Sequence, residues 1–180
     1  FLSLVVGSSV ATWQAVEARR ERAKAEQRFN EVRKLANSFL FEFHDAIENL
    51  PGSTPARKMV IERALPYLDN LSQESQGDDS LQSELAESYL KLGMIQGHPT
   101  FPNIGDVKGG IESFRKAIKI GEELVKRNPT NTDYRFYLAK YYAALGDINN
   151  EATYDLPNAL VNYKRVLKIG EDYEPKILKT

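Results

Sequence analysis

The sequence predicts an all-helical protein: a solenoid of stacked helical hairpins, preceded by one long helix that starts in a membrane segment. Three observations predict it. A pair of helical segments occurs twice, no proline or glycine falls between Thr12 and Leu50, and no stretch alternates apolar and polar residues as a half-buried strand does. In the duplicated pair, Tyr89, Leu92 and Gly93 recur 53 positions on as Tyr142, Leu145 and Gly146. Phe114, Ala117, Ile120 and Gly121 recur 49 positions on as Tyr163, Val166, Ile169 and Gly170. The mismatch between the two offsets falls in the connecting loops, where added residues cost least. Repeated helix pairs stack, because each buries its apolar face only against a neighbour.

Composition narrows the chemistry. The 180 residues suffice for a sizeable core, and 24 basic against 25 acidic residues leave no net field to draw the chain to nucleic acid. There is no cysteine, and the histidines are His44 and His98 alone, so disulfides, thiolate catalysis and a zinc cluster are excluded. We expect no cofactor, no metal, no nucleic-acid partner and no small-molecule substrate.

Residues 1–14 read as the C-terminal part of a transmembrane helix. From Phe1 to Trp13 the run is uncharged, though shorter than the ~20 residues a bilayer crossing needs. A buried helix end or a signal-peptide remnant is the competing reading. Trp13 followed by Arg19, Arg20, Arg22 and Lys24 is the order expected at a membrane–water interface. That basic run serves either anionic headgroups or a solvated helix face.

Residues 15–50 form a long juxtamembrane helix, polar nearly all round at first. From Phe29 an apolar stripe runs through Val32, Ala36, Phe39, Phe43, Ile47 and Leu50. Leu35 and Leu40 widen it beyond a coiled-coil seam, which predicts packing on the solenoid rather than dimerisation. Pro51-Gly52 ends that helix.

Residues 51–79 hold a degenerate or capping helix. Thr54 is its expected cap, Pro55 opens its first turn, and Met59, Ile61, Ala64, Leu65, Leu68 and Leu71 face inward. Residues 80–175 carry the repeats: a helix over 80–96 capped by an Asp79/Gln82 pair, a loop over 97–105, and a helix over 107–127 capped by Asp106. A helix over 132–149, a loop over 150–155 and a helix over 156–173 follow. Residues 176–180 are a tail.

The duplicated segment resembles the tetratricopeptide repeat, which pairs an aromatic and Leu-Gly in one helix with a small residue and an aromatic in the next. Tyr89, Leu92, Gly93, Gly110, Phe114, Ala117 and Pro129 match in one copy; Tyr142, Leu145, Gly146, Ala159, Tyr163 and Val166 match in the other. Small residues at 93, 110, 146 and 159 let two helices approach, and the rings at 114 and 163 fill the space beyond. The longer helices are similar to repeats of the kinesin-light-chain kind. Over 32–45 and 50–57 the chain is also similar to the region after the membrane segment of bacterial, especially acidobacterial, membrane-anchored serine/threonine protein kinases. That resemblance implies a kinase domain ahead of the anchor, yet no Gly-rich loop, His-Arg-Asp or Asp-Phe-Gly occurs in this sequence.

Candidate chemistry is sparse. His44 stands among Glu42 and Asp45 without a serine or cysteine nucleophile, so it reads as a hydrogen-bonded helix residue. His98 lies in a Pro-rich loop that is either a recognition tip or, better supported, a packed connection. Glycines over 105–110 lack the lysine and preceding strand of a phosphate loop. Glu122-Glu123 and Glu171-Asp172 read as solvated faces. The resemblance implies a partner-binding groove lined by first helices: Glu87, Leu90 and Met94, then Lys140, Ala143 and Asp147. Tyr134, Phe136, Tyr137, Tyr141 and Tyr142 spread aromatics over more than one face, as interface anchors or as packing between repeats. The expected function is a membrane-tethered (single-pass) protein–protein interaction scaffold without catalysis, the sensing or docking part of a receptor-type kinase. The alternative is a structural accessory subunit clamping a larger membrane complex. Charge bias places the basic flank in the cytoplasm and the kinase analogy places the repeats across the membrane from the kinase, so the side stays open.

Overall fold

The computed structural model describes residues 13, 14, 16–21, 24, 33, 34, 38, 41, 42, 46–75 and 77–171. The apolar run over 1–12, Arg22, most of the stripe from Phe29 to Phe43, His44 and the tail over 176–180 lie outside them. The chain divides into two compact units, 1–47 and 48–180.

In the first unit the described residues are helical, and Trp13, Arg19, Arg20 and Lys24 are exposed. Lys24 donates to Glu21 and Arg20 lies beside Glu17, pairs of the i, i+3 kind that neutralise part of the basic run locally.

The second unit is all helix among the described residues: α1 (Thr54–Glu74), α2 (Asp79–Gly97), α3 (Val107–Arg127), α4 (Thr132–Asp147), a π-helical turn (Ile148–Ala152) and α5 (Leu156–Glu171). α1 and α3 are both 21 residues long and start 53 positions apart, at Thr54 and Val107; α2 and α4 also start 53 apart, at Asp79 and Thr132. α1 is therefore the counterpart of α3, and α5, starting 49 after Val107, is the third of the set.

The turns repeat as well. The residue two before each of these helices starts, Gly52, Gly105 and Tyr154, has a positive φ of 80°, 80° and 54°. The first two pay no Cβ penalty there; Tyr154 does.

The core lies where α2, α3 and α4 meet. Gly93 and Gly97 on α2, one turn apart, let α3 approach so closely that a Cβ on Gly97 would stand 2.5 Å from the Val107 Cα. Beyond Gly93 the fully buried Phe114 ring fills the gap. In the second hairpin Tyr163 stands in the same relation to Gly146. Small residues facing rings at matching positions are the packing the sequence predicts.

Four details differ from expectation. Met59 is 62 % exposed, because the inward row of α1 runs Arg57, Ile61, Leu68, Leu71 and leaves position 59 off that face. Arg57 takes the inward place and donates to the Pro102 carbonyl at 2.8 Å. The cap of α2 is Asp78, which accepts from the Leu81 N–H; Asp79 is instead held by Arg127 and Asn128 at the end of α3. Thr54 is already helical, and Ser53 before it makes no side-chain cap, since Pro55 removes one of the donors a cap would satisfy. Finally α4 stops at Asp147 and continues as the π-turn, so the loop before α5 is shorter than expected; fully buried Ile148 reaches over Gly110 there.

Candidate protein-binding surface

Glu87 and Met94 of α2 and Ala143 of α4 are half-buried, and Lys140 is exposed. Glu87 lies close enough to Tyr141 of α4 to act on it: burial first, then Glu87, pushes the Tyr141 phenol well above its ordinary range. Lys140 sits over the Phe136 and Tyr137 rings, 5.8 and 5.5 Å from their centroids, so its ammonium is steered by cation–π attraction. Leu90, 5 % exposed, belongs to the core and offers a partner little area.

Asp147 is tied inward. Its Oδ1 accepts from the Tyr163 hydroxyl at 2.8 Å, and its Oδ2 lies 3.6 Å from His98 Nε2. Burial, then this bond, pushes the Tyr163 phenol up to about 12. His98 is 3 % exposed, edge-on to Phe101 and Phe114, and its Nδ1 faces the Thr100 N–H and hydroxyl. The packed-connection reading of that loop is what the structure has. Ile104 and Asp106 donate back to the Ile95 and Gln96 carbonyls, and Asn103 to the His98 carbonyl.

Thr100, His98 and Asp147 stand in the order of a hydrolase triad, and the geometry argues against that role. The His98–Asp147 gap exceeds a hydrogen bond, Thr100 reaches the ring through a two-residue turn, and the ring is out of solvent reach. The group links α2, α4 and α5.

A second repeated device escaped the sequence reading. The Tyr89 hydroxyl donates to Asp69 at 2.7 Å and the Tyr142 hydroxyl to Glu122 at 2.6 Å, each acceptor 20 positions before its donor and on the preceding helix of the α1, α3 series. Only the equivalence of α1 with α3 reveals it. Glu122 is exposed, as a residue of a solvated face is, and also serves as this acceptor; burial with this bond pushes the Tyr142 phenol up to about 12. Burial works to raise the Asp69 carboxyl, but hydrogen bonds from Lys116 and Tyr89 outweigh it and hold the group below its ordinary range. These residues wall a polar cleft of about 560 Å³ that also takes in Gln73, Gln82 and Arg127. Its Lys116 pairs with Asp69, and Arg127 with Asp79, so the charges cancel across the cleft.

Of the aromatic set, Tyr141 and Tyr142 are buried, Tyr134 and Tyr137 half-buried, and Phe136 is 62 % exposed. Phe136 rims an apolar cleft of about 400 Å³ between α4 and α5, lined by Ala139, Val166, Ile169 and Gly170. Among the described residues no helix is long and apolar enough to cross a membrane, and no group of three or more His, Cys, Asp or Glu is placed to hold a metal. No protein-family model, curated protein or solved structure matches the chain.

Proposed function

We propose that this chain is a protein-docking module of the tetratricopeptide kind, held at a membrane by the segment ahead of Trp13 and performing no chemistry of its own. Its place is the docking region of a receptor-type serine/threonine kinase, as the resemblance over 32–57 suggests. The observation that carries the docking reading is the twofold glycine–ring nesting, Gly93 with Phe114 and Gly146 with Tyr163, which spaces α2 and α4 as successive first helices. The face those helices share is edged by Glu87, Lys140 and the Phe136–Tyr137 pair, a mixture of aromatic area and charge suited to a folded or helical protein partner.

The test is site-specific photocrosslinking of the full-length protein in its native membrane. A crosslinker at Lys140 or Ala143 captures one discrete partner band, and the same group at exposed Lys126 on α3 does not. Equal capture from both faces, or extraction of the protein without detergent, sinks the reading. Lys140→Glu serves as the charge test, because Asp147 is committed to Tyr163 and its reversal would disturb the fold.

A further inference from the structure

His98 closes α2 and is buried beneath the α2–α3 loop, with polar groups set at both of its ring nitrogens. Nδ1 lies 3.4 Å from the Thr100 backbone nitrogen and 3.1 Å from the Thr100 hydroxyl. A backbone N–H can only donate, so Nδ1 accepts, and the proton of the neutral ring sits on Nε2. That nitrogen faces Asp147 Oδ2 across 3.6 Å, a gap too wide for a hydrogen bond. Oδ2 has no other donor among the described residues, whereas Oδ1 is taken by the Tyr163 hydroxyl. One acceptor is aimed at the ring and left short of it.

A second proton on the ring reverses this arrangement. Nδ1 becomes a donor and expels the Thr100 N–H, while the Thr100 hydroxyl turns and accepts instead. Nε2 then carries charge toward a carboxylate whose side chain is 39 % exposed, so the ion pair forms where water still reaches one partner. The other neighbours do not compete for the ring. α3 offers the Phe114 ring, Asp106 is turned to Gln96 and Gly109, and Glu151 of the π-turn acts on Tyr163. The same loop reaches further. The carbonyl of Pro102, two residues after Thr100, holds buried Arg57 of α1, and Phe101 between them stands edge-on to the imidazole. We propose that His98 is a proton-operated switch of the α2–α3 loop: protonation expels the Thr100 N–H from Nδ1, draws Nε2 onto Asp147, and resets the turn that carries Phe101 and the Arg57 anchor. The proton comes from solvent and returns to it, and no other bond is made or broken covalently. The switch stands whether or not the first-helix face binds a protein.

The experiment uses the intact chain carrying His44→Gln, which leaves His98 as its single imidazole. Two-dimensional NMR follows it from about pH 8 to about pH 5, the range in which imidazoles change charge. The His98 ring and the Thr100 amide are expected to shift together, with one midpoint. Below it, exchange of the Thr100 amide, normalised for pH, speeds up about 5-fold, the effect of one net hydrogen bond lost. Asp147→Asn keeps an acceptor for Tyr163 and removes the charge, and it moves the Thr100 transition to lower pH by about one unit. Far-UV circular dichroism stays constant throughout. A ring that stays neutral to the acid end of the range overturns the proposal, as does a Thr100 amide that ignores the ring's titration. A transition unmoved by Asp147→Asn, or one that coincides with loss of helix, overturns it as well.

Discussion

Replacing Gly93 by alanine isolates the contact on which the hairpin depends. The new Cβ would lie 2.4 Å from Phe114 Cε1, 2.6 Å from Cδ1 and 2.9 Å from Cζ, all closer than carbon atoms pack. The ring has no room to retreat, being fully buried with the His98 ring edge-on at 6.1 Å between centroids. Overpacking of this kind costs about 1–3 kcal/mol, while alanine in a helix gains about 1 kcal/mol over glycine. Because the added Cβ meets three atoms of a ring that cannot move, the overpacking lies at its upper end of about 3 kcal/mol, and the balance is a loss of about 2 kcal/mol. Gly146→Ala meets Tyr163 at 2.6 Å, but that ring is half-exposed and can shift, so its two terms come closer to cancelling. Gly170→Ala meets nothing described within 4 Å and gains up to about 1 kcal/mol from propensity. Urea unfolding followed by far-UV circular dichroism should therefore rank the midpoints Gly170→Ala, parent, Gly146→Ala, Gly93→Ala, from highest to lowest. Adding Phe114→Leu to Gly93→Ala should show a coupling of about 1 kcal/mol, since the smaller side chain vacates the contested space. A Gly93→Ala variant as stable as the parent would refute the nesting argument.

Tyr154→Gly relieves a left-handed residue that is 80 % exposed and stands where the two sister turns use glycine. Relief of about 1–2 kcal/mol, less the entropy glycine gains when unfolded, leaves about 0.5–1 kcal/mol, read as a higher melting temperature; a fall would mean the ring contributes packing. Asp69→Ala removes the acceptor of the Tyr89 hydroxyl and the partner of Lys116, and should cost about 1 kcal/mol, with Lys116→Ala costing less because that pair is solvent-exposed. The Asp69 carboxyl is held below its ordinary value, so its contribution is full above pH 3.8 and disappears as pH falls below that; acid titration of Asp69→Ala should lose this component. Tyr142 and Tyr163 are pushed up to about 12, so their contribution is full below pH 10 and is lost as pH climbs toward 12. Phenolate absorbance should accordingly rise in two steps, the later one coincident with unfolding, and a single step near pH 10 would contradict the Tyr–carboxylate bonds.

Much of this was legible in the chain itself, because local rules and tertiary demand agree there. Gly93 before Phe114 and Gly146 before Tyr163 announce close helix approach, since a glycine inside a helix costs stability unless a neighbour uses the space. The N-cap Asp106 and the stop at Asn128-Pro129 follow from backbone chemistry within a few residues. What only the tertiary structure decided are relations between distant positions. That α1 is a full counterpart of α3 is hidden because Ile61 and Leu68 stand where Phe114 and Gly121 do, exchanging sizes across the contact. The inward place of Arg57 depends on the Pro102 carbonyl, 45 residues away. Asp147 looks like a free groove charge until folding sets Tyr163 and His98 beside it. Spacing along a helix fixes which residues share a face; which face is covered, and by what, is set by the helix that arrives later in the chain.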